Sequence, residues 1–256
     1  MSFSAGCVAQ GLPADSLKAE IGFSLLRFNY TEYSDTGSEL DWEHGVIPGL
    51  SFRLAQRRDA WEWEGRASYH REIVDYTGHT QTSSGILTPY STSTDEAVSD
   101  YALRLGHWFA GSYPLMPYAG LGYRRWNRDI LPGKSGGLFE SYRWKYFWLG
   151  TKVTVYQQPA SDLMLDIGWL KPLDPVMGIK GSYNDPSLDP GSRSGLRLML
   201  ASHHMIRENT TLILEPYYEY WPLGRSPTIK SGGYTINEPE SVTRNFGFNM
   251  RMGRAF

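Results

Sequence analysis

One cysteine, Cys7, stands among 256 residues. It excludes an internal disulfide framework and a cysteine-based metal site. Long apolar runs are missing too. No stretch approaches the ~18–20 residues of a spanning helix, and mean hydropathy is −0.42. Charge of one sign is also lacking. With 25 Lys and Arg against 27 Asp and Glu, the net charge is −2, so no global field points to nucleic acid or to a strongly charged partner. Helical periodicity never lasts beyond a turn or two.

What is present is aromatic, glycine-rich and alternating. The chain holds 17 Tyr, 9 Trp and 27 Gly. Period-two segments fall at about 18–32, 44–57, 60–75, 97–110, 115–128, 140–156, 161–171, 193–206, 209–221 and 240–256. The connections after the second, fourth, sixth and eighth are short: "RRDA", "AGSYPL", "QQPA" and "RENT". Those after the odd-numbered segments are longer and turn-rich. "TGHTQTSSGILTPYSTSTDE" reads as the longest surface loop. Strict long–short alternation over an even strand number fits an up-and-down membrane barrel, in which only alternate residues meet lipid. A soluble β-sandwich has no reason to sort its loops in this way.

The faces agree. Trp61, Trp63, Gly65, Ala67, Tyr69 and Ile73 share one side of a strand, opposite Glu62, Glu64, Arg66, Ser68, His70 and Glu72. Leu163, Leu165, Ile167 and Trp169 oppose Met164, Asp166 and Gly168. The first segment breaks phase at Leu25-Leu26, which reads as a bulge. Aromatics near strand ends predict two interfacial girdles. Trp61, Trp63, Phe109, Tyr113, Tyr156 and Phe256 fall at the inner one. Tyr30, Tyr76, Tyr123, Tyr142, Trp144, Trp169 and Tyr220 fall at the outer one.

Residues 1–15 read as the remnant of an export signal or a disordered N-terminus, with 16–256 as one barrel domain. "SAGC" is also compatible with the remnant of a lipidation site, although Ser4 replaces the usual aliphatic residue.

The last strand, "RNFGFNMRMGRAF", has spaced hydrophobics and a terminal aromatic. In this it resembles the closing strand of bacterial outer-membrane β-barrels, with Asn245, Gly247, Met250, Met252 and Phe256 at the positions read during assembly. Arg251 and Arg254 stand where strict counting from Phe256 expects Gly and an apolar residue. The resemblance covers roughly 18–256 and names an architecture: an all-β, ten-stranded, antiparallel, up-and-down transmembrane barrel. It implies a monomer in a Gram-negative outer membrane, with long loops extracellular and both termini periplasmic. It also implies contact with outer-membrane lipids and lipopolysaccharide, and with the barrel-assembly machinery, without nucleic acid. Ten strands is also the count of the omptin proteases and of a neisserial adhesin barrel.

The inferred lumen is crowded with charge. Glu62, Glu64, Glu72, Asp100, Asp166, Glu215 and Glu219 face Arg66, Arg104, Arg124, Lys152, Arg197 and Arg251, with His70 among them. Such groups either pair into a network that fills a narrow barrel or line a polar path for small solutes. His70 and Glu72 share a face, but no Asp-x-Asp or Asp-x-His element of omptin type occurs in the chain. His203 and His204 point to opposite faces and cannot share a metal. No cofactor or metal is expected, and no catalytic residue is assigned. The sequence therefore points to a non-enzymatic envelope-structural barrel, with or without narrow solute passage. A surface adhesin or ligand-binding barrel acting through its outer loops is the alternative, and a hydrolase with a rim site comes third.

Overall fold

The computed structural model describes residues 16–81, 86–131 and 137–256. The 1–15 segment with Cys7 lies outside them. Ten long strands carry the fold: β1 (Leu17–Tyr33), β2 (Glu39–Arg58), β3 (Trp61–Gln81), β4 (Leu87–His107), β5 (Leu115–Ile130), β6 (Leu138–Gln158), β7 (Ser161–Lys180), β10 (Gly195–Arg207), β11 (Thr210–Gly224) and β14 (Glu240–Ala255). Each pairs antiparallel with its neighbours. β7 pairs with β10, and β14 pairs with both β11 and β1, so the sheet closes on itself. Short β8 (Ser187–Leu188) and β9 (Gly191–Ser192) trim the rim. β12 (Ile229–Ser231) and β13 (Tyr234–Ile236) form a separate hairpin there. Closure leaves no unpaired edge, which is the condition for β-structure in lipid.

Side-chain direction is inverted relative to a soluble barrel. Along β1, Ile21, Phe23 and Leu25 are 64%, 67% and 48% exposed, whereas the intervening Glu20 and Ser24 are buried. The same holds for Leu103 and Leu105 against Arg104, and for Phe246, Phe248 and Met250 against Asn245 and Asn249. A continuous apolar exterior of this size needs a hydrocarbon environment. The outward apolar positions define the spanning parts of the strands: 17–25, 46–54, 61–69, 101–107, 115–123, 147–155, 163–169, 196–200, 212–218 and 246–252. The longest of them run nine residues, the lower end of the ~9–11 that a tilted strand needs, and the others run five to seven.

The strands continue past this band on the long-loop side. There the outward positions turn polar, as with Asn29, Thr31, His44, Asp75 and Asn127. This corrects the expected longest loop. Most of "TGHTQTSSGILTPYSTSTDE" is strand, with β3 and β4 in register from Ile73↔Asp95 to Gln81↔Leu87. Its Thr and Tyr residues suit a pleated surface as well as a loop. On the other side, connections stay short. The turn 59–60 is closed by Asp59 at φ 54°, a left-handed conformation that Asp tolerates.

Two further expectations change. No register shift occurs at Leu25-Leu26. Leu25 faces out and Leu26 in, in unbroken phase. The doublet marks where the interior itself becomes apolar, as Leu26, Phe28, Ile47, Val74, Val98 and Trp126 form one buried layer. Tyr30, Tyr76, Tyr142 and Trp144 also belong to the interior and not to an outer girdle, because they sit on the inward phase. Tyr123 and Trp169 do face outward near the long-connection edge, and Trp61, Phe109, Tyr113, Tyr156 and Phe256 are exposed at the opposite end.

Large interior rings fit because cross-strand partners lack side chains. A Cβ on Gly122 would lie 2.1 Å from Cζ of Tyr146, its register partner. One on Gly247 would lie 2.0 Å from Cζ of Tyr217. The phenol end of each ring occupies the place a methyl group would take.

Candidate functional site: two charged layers inside the barrel

Inward positions of the spanning segments carry a closed ion-pair network. Glu64 on β3 is its hub. Its carboxylate accepts from Arg53 Nε at 2.6 Å, Arg66 Nε at 2.5 Å, Arg104 Nε at 2.7 Å and Lys152 Nζ at 2.7 Å. Lys152 also reaches Glu62 at 2.9 Å, and Arg104 reaches Asp166 at 2.6 Å. Glu215 accepts from Arg66, Arg251 and Asn249. Glu20 joins Arg53 to Arg251 at 2.5 and 3.1 Å. One layer higher, Arg124 binds Asp100 at 2.9 Å and Glu219 at 2.7 Å, and Arg197 lies 3.4 Å from Glu219. Aromatic faces complete the packing. The Arg104 guanidinium lies 4.4 Å from the Tyr118 ring, and that of Arg124 lies 4.2 Å from Trp221.

Charge balance explains why so many ions can be buried together. Glu20, Glu62, Glu64, Asp100, Asp166, Glu215 and Glu219 are matched by Arg53, Arg66, Arg104, Arg124, Lys152, Arg197 and Arg251, and Lys18 adds a further cation 3.7 Å from Glu20. Each ion meets the opposite sign at hydrogen-bond distance or close to it, which offsets the cost of leaving water. The network leaves small voids, among them two of about 20 and 10 Å³. Such volumes hold on the order of one water each.

Of the lumen residues expected from sequence, all but Glu72 lie inside the wall. Glu72 is exposed. The β2–β3 ladder lapses over 45–48 and 71–74, beside Pro48, and the Glu72 carboxylate accepts from the Ile73 N–H at 3.0 Å. His70 is therefore not paired with Glu72, and its Nε2 lies 2.7 Å from Ser24 Oγ. His203 faces inward with Nδ1 2.6 Å from Asp162, while His204 is exposed beside Ser202. Glu20 and Arg53 were missed, although they stand on the same alternating phase as the residues found.

A second layer, also missed, lies beyond the apolar band. Arg128 on β5 is surrounded by carboxylates: Glu32 at 3.0 Å, Glu43 at 2.9 Å, Glu140 at 2.7 Å and Glu96 at 3.7 Å. Its guanidinium lies 4.3 Å from the Tyr30 ring. Tyr30 donates to Glu32 at 2.5 Å, Thr94 to Glu43 at 2.8 Å, and Trp126 Nε1 to Glu96. Tyr142 donates to Glu238 at 2.5 Å, which ties the connection before β14 to the wall. One cation thus serves several buried acids. Protons make up the difference. Burial, with Glu32 and Glu43 nearby, raises Glu140 to about 7 despite Arg128. Burial and the facing Glu43 push Glu96 well above the usual carboxylate range, and burial with Glu32 and Glu140 does the same to Glu238.

On β14, Asn245 Oδ1 accepts from Asn29 N at 3.3 Å across the closing seam. Met250, Met252 and Phe256 face outward, and Arg254 lies over the Phe256 ring.

No protein-family model and no curated protein matches the chain. Among solved structures, the outer-membrane protease OmpT of Escherichia coli superposes with a TM-score of 0.61 at 9% identity, covering 96% of this chain and 98% of that one. The translocator domain of autotransporter NalP from Neisseria meningitidis gives 0.49 at 12% identity, over 94% and 88% of the two chains. OprG of Pseudomonas aeruginosa gives 0.43 at 12% identity, over 95% and 96%. At these identities the OmpT likeness speaks to the fold, which is that of an outer-membrane β-barrel.

Proposed function

We propose that this chain is an envelope-structural outer-membrane barrel, monomeric, whose lumen is sealed at membrane depth by ion pairs. The observation that carries this reading is the Glu64 hub, where Arg66 from its own strand, Arg53 and Arg104 from the two neighbouring strands and Lys152 from β6 converge on one carboxylate. Solute passage through this layer requires separating several buried pairs at once, each costly to break. The long-connection end is assigned to the cell exterior and the short turns to the periplasm, in keeping with the usual loop asymmetry of such barrels.

Planar-bilayer recording of the purified full-length chain tests the reading. Wild type should show no discrete conductance, and Glu64→Ala with Arg104→Ala should open steps of small-ion size. Steady wild-type conductance would refute the seal.

A second reading has its own support. The barrel wall continues beyond the apolar band, and its rim displays Tyr234, exposed on the β12–β13 hairpin. This raised polar surface suits a surface-binding role. Deletion of 228–236 should abolish cell-surface adhesion and leave the barrel folded if that role holds.

A further inference from the structure

The exterior just above the apolar band carries cations that no carboxylate among the described residues matches. On β5 and β6, Arg125 and Arg143 are direct register partners, and Lys145 is the partner of Tyr123 two residues along. All three are exposed and point outward. Like charges placed directly across a strand pair repel. Two other exterior arginines are matched, Arg71 by Asp95 at 2.7 Å and Arg193 by Glu240 at 2.5 Å. Arg27 and Arg244 are exposed without an ion pair among the described residues. What sets the β5–β6 group apart is two guanidinium groups in direct register. Among the described residues no carboxylate forms an ion pair with Arg125, Arg143 or Lys145. Arg125 reaches only the amide oxygen of Asn127, at 3.3 Å. Asp174, exposed at the bulge opposite Arg143 and Lys145, makes no ion pair with them.

The level of the patch identifies its occupant. Tyr123 lies level with Lys145, and immediately below on the same two strands lie Leu121, Phe147 and Leu149, all exposed to the hydrocarbon side. The cations therefore sit at headgroup height, one side-chain length above acyl chains. A soluble anion would ignore the apolar half of this surface, and a neutral lipid would ignore the charged half. A lipid bearing phosphate monoesters matches both, because its doubly charged phosphate can be shared by two guanidinium forks and an ammonium.

We infer that Arg125, Arg143 and Lys145 form a docking site for the phosphorylated headgroup of an outer-leaflet lipid of the lipopolysaccharide class, whose acyl chains lie along Leu121, Phe147 and Leu149. The inference rests on the membrane orientation proposed above and is independent of whether the lumen is sealed.

Native mass spectrometry of the full-length protein, extracted in mild detergent and titrated with purified lipid A, tests it. Wild type should retain lipid A, and Arg125→Ala/Arg143→Ala/Lys145→Ala should retain it roughly a hundredfold more weakly. Enzymatically dephosphorylated lipid A should bind wild type as weakly as intact lipid A binds the triple variant. Arg71→Ala, which removes a paired exterior cation, should leave retention unchanged. Heat-modifiable gel migration checks that each variant is folded. Should the triple variant be unfolded, Arg143→Glu alone, folded by the same criterion, carries the comparison. Equal retention by a folded variant, equal binding of the dephosphorylated lipid, or displacement by millimolar inorganic phosphate would overturn the site. A conducting lumen in the bilayer experiment would refute the seal and leave this result standing.

Discussion

Arg104 on β4 and Glu64 on β3 are register partners that meet at 2.7 Å, and both side chains are 1% exposed. Neither can turn to water, so each depends on the other and on the next shell. Glu64→Ala leaves four buried cations without their common partner. It should destabilise the barrel by about 3–5 kcal/mol, as breaking one side of a buried pair does. The urea midpoint for unfolding from lipid vesicles reports the loss. A change within 0.5 kcal/mol, about what a neutral surface substitution gives, would mean that the hub is solvated.

The inside–outside assignment makes an asymmetric prediction. Leu103 faces lipid at 59% exposure, and Leu103→Arg near mid-depth should cost about 2–4 kcal/mol. Ser68 faces the lumen beside a small void, and Ser68→Thr should cost little. Equal tolerance in refolding experiments would invert the assignment.

Glycine at 122 is required by its partner ring. Gly122→Val should drive Tyr146 from its place above the β5 backbone and break its bond to Asp100, which measures 3.0 Å. Overpacking of this kind costs roughly 1–3 kcal/mol. Gly122→Val combined with Tyr146→Ala should recover part of that loss, as a double-mutant cycle in urea would show.

The acid layer at the long-connection end should loosen as pH rises. Glu140 titrates near 7 in the folded chain, against an ordinary value of 4.5. The folded state thus holds a proton that the unfolded chain has released. Stability is fully present below about pH 4.5, falls as pH rises toward 7, and stays reduced above it. The full shift corresponds to about 3 kcal/mol. Glu96 and Glu238, also raised, extend the loss to higher pH. Hydrogen exchange at backbone amides of 225–239 should accelerate between pH 5 and 9 beyond the intrinsic base dependence, and Glu140→Gln should flatten the part below pH 8. Protection that grows with pH over this range would contradict the burial of these acids.

Alternation alone made much of this legible. The ten segments, their closure and the inward phase of Glu62, Glu64, Asp166 and Glu215 follow from period two and loop sorting. The Arg128 layer escaped because Ser, Thr and Gly in 77–96 read as a loop, although Thr94, Glu96 and Val98 keep the strict inward phase of the strand below. Tyr30 and Trp144 misled for a related reason. An aromatic at a strand end suits a headgroup interface and a buried layer equally, and only the phase separates the two. Glu72 shows the opposite limit, because its phase is inward yet the lapse of the ladder beside Pro48 turns it out. Side-chain pairing across the lumen, as between Glu64 and Lys152, joins residues 88 positions apart and leaves no local trace.

The seam between β1 and β14 has a consequence for how the molecule is made. Lys18 pairs with Ala255, and Phe23 with Met250, contacts spanning nearly the whole chain. Loop-closure entropy for these pairs is the largest in the fold, so they form last. Until they do, both terminal strands present open ladders beside an apolar surface, the arrangement most prone to pairing with the wrong molecule. The most vulnerable moment of this barrel is the interval before its two ends meet, and substitutions at that seam should show their effect in yield before they show it in stability.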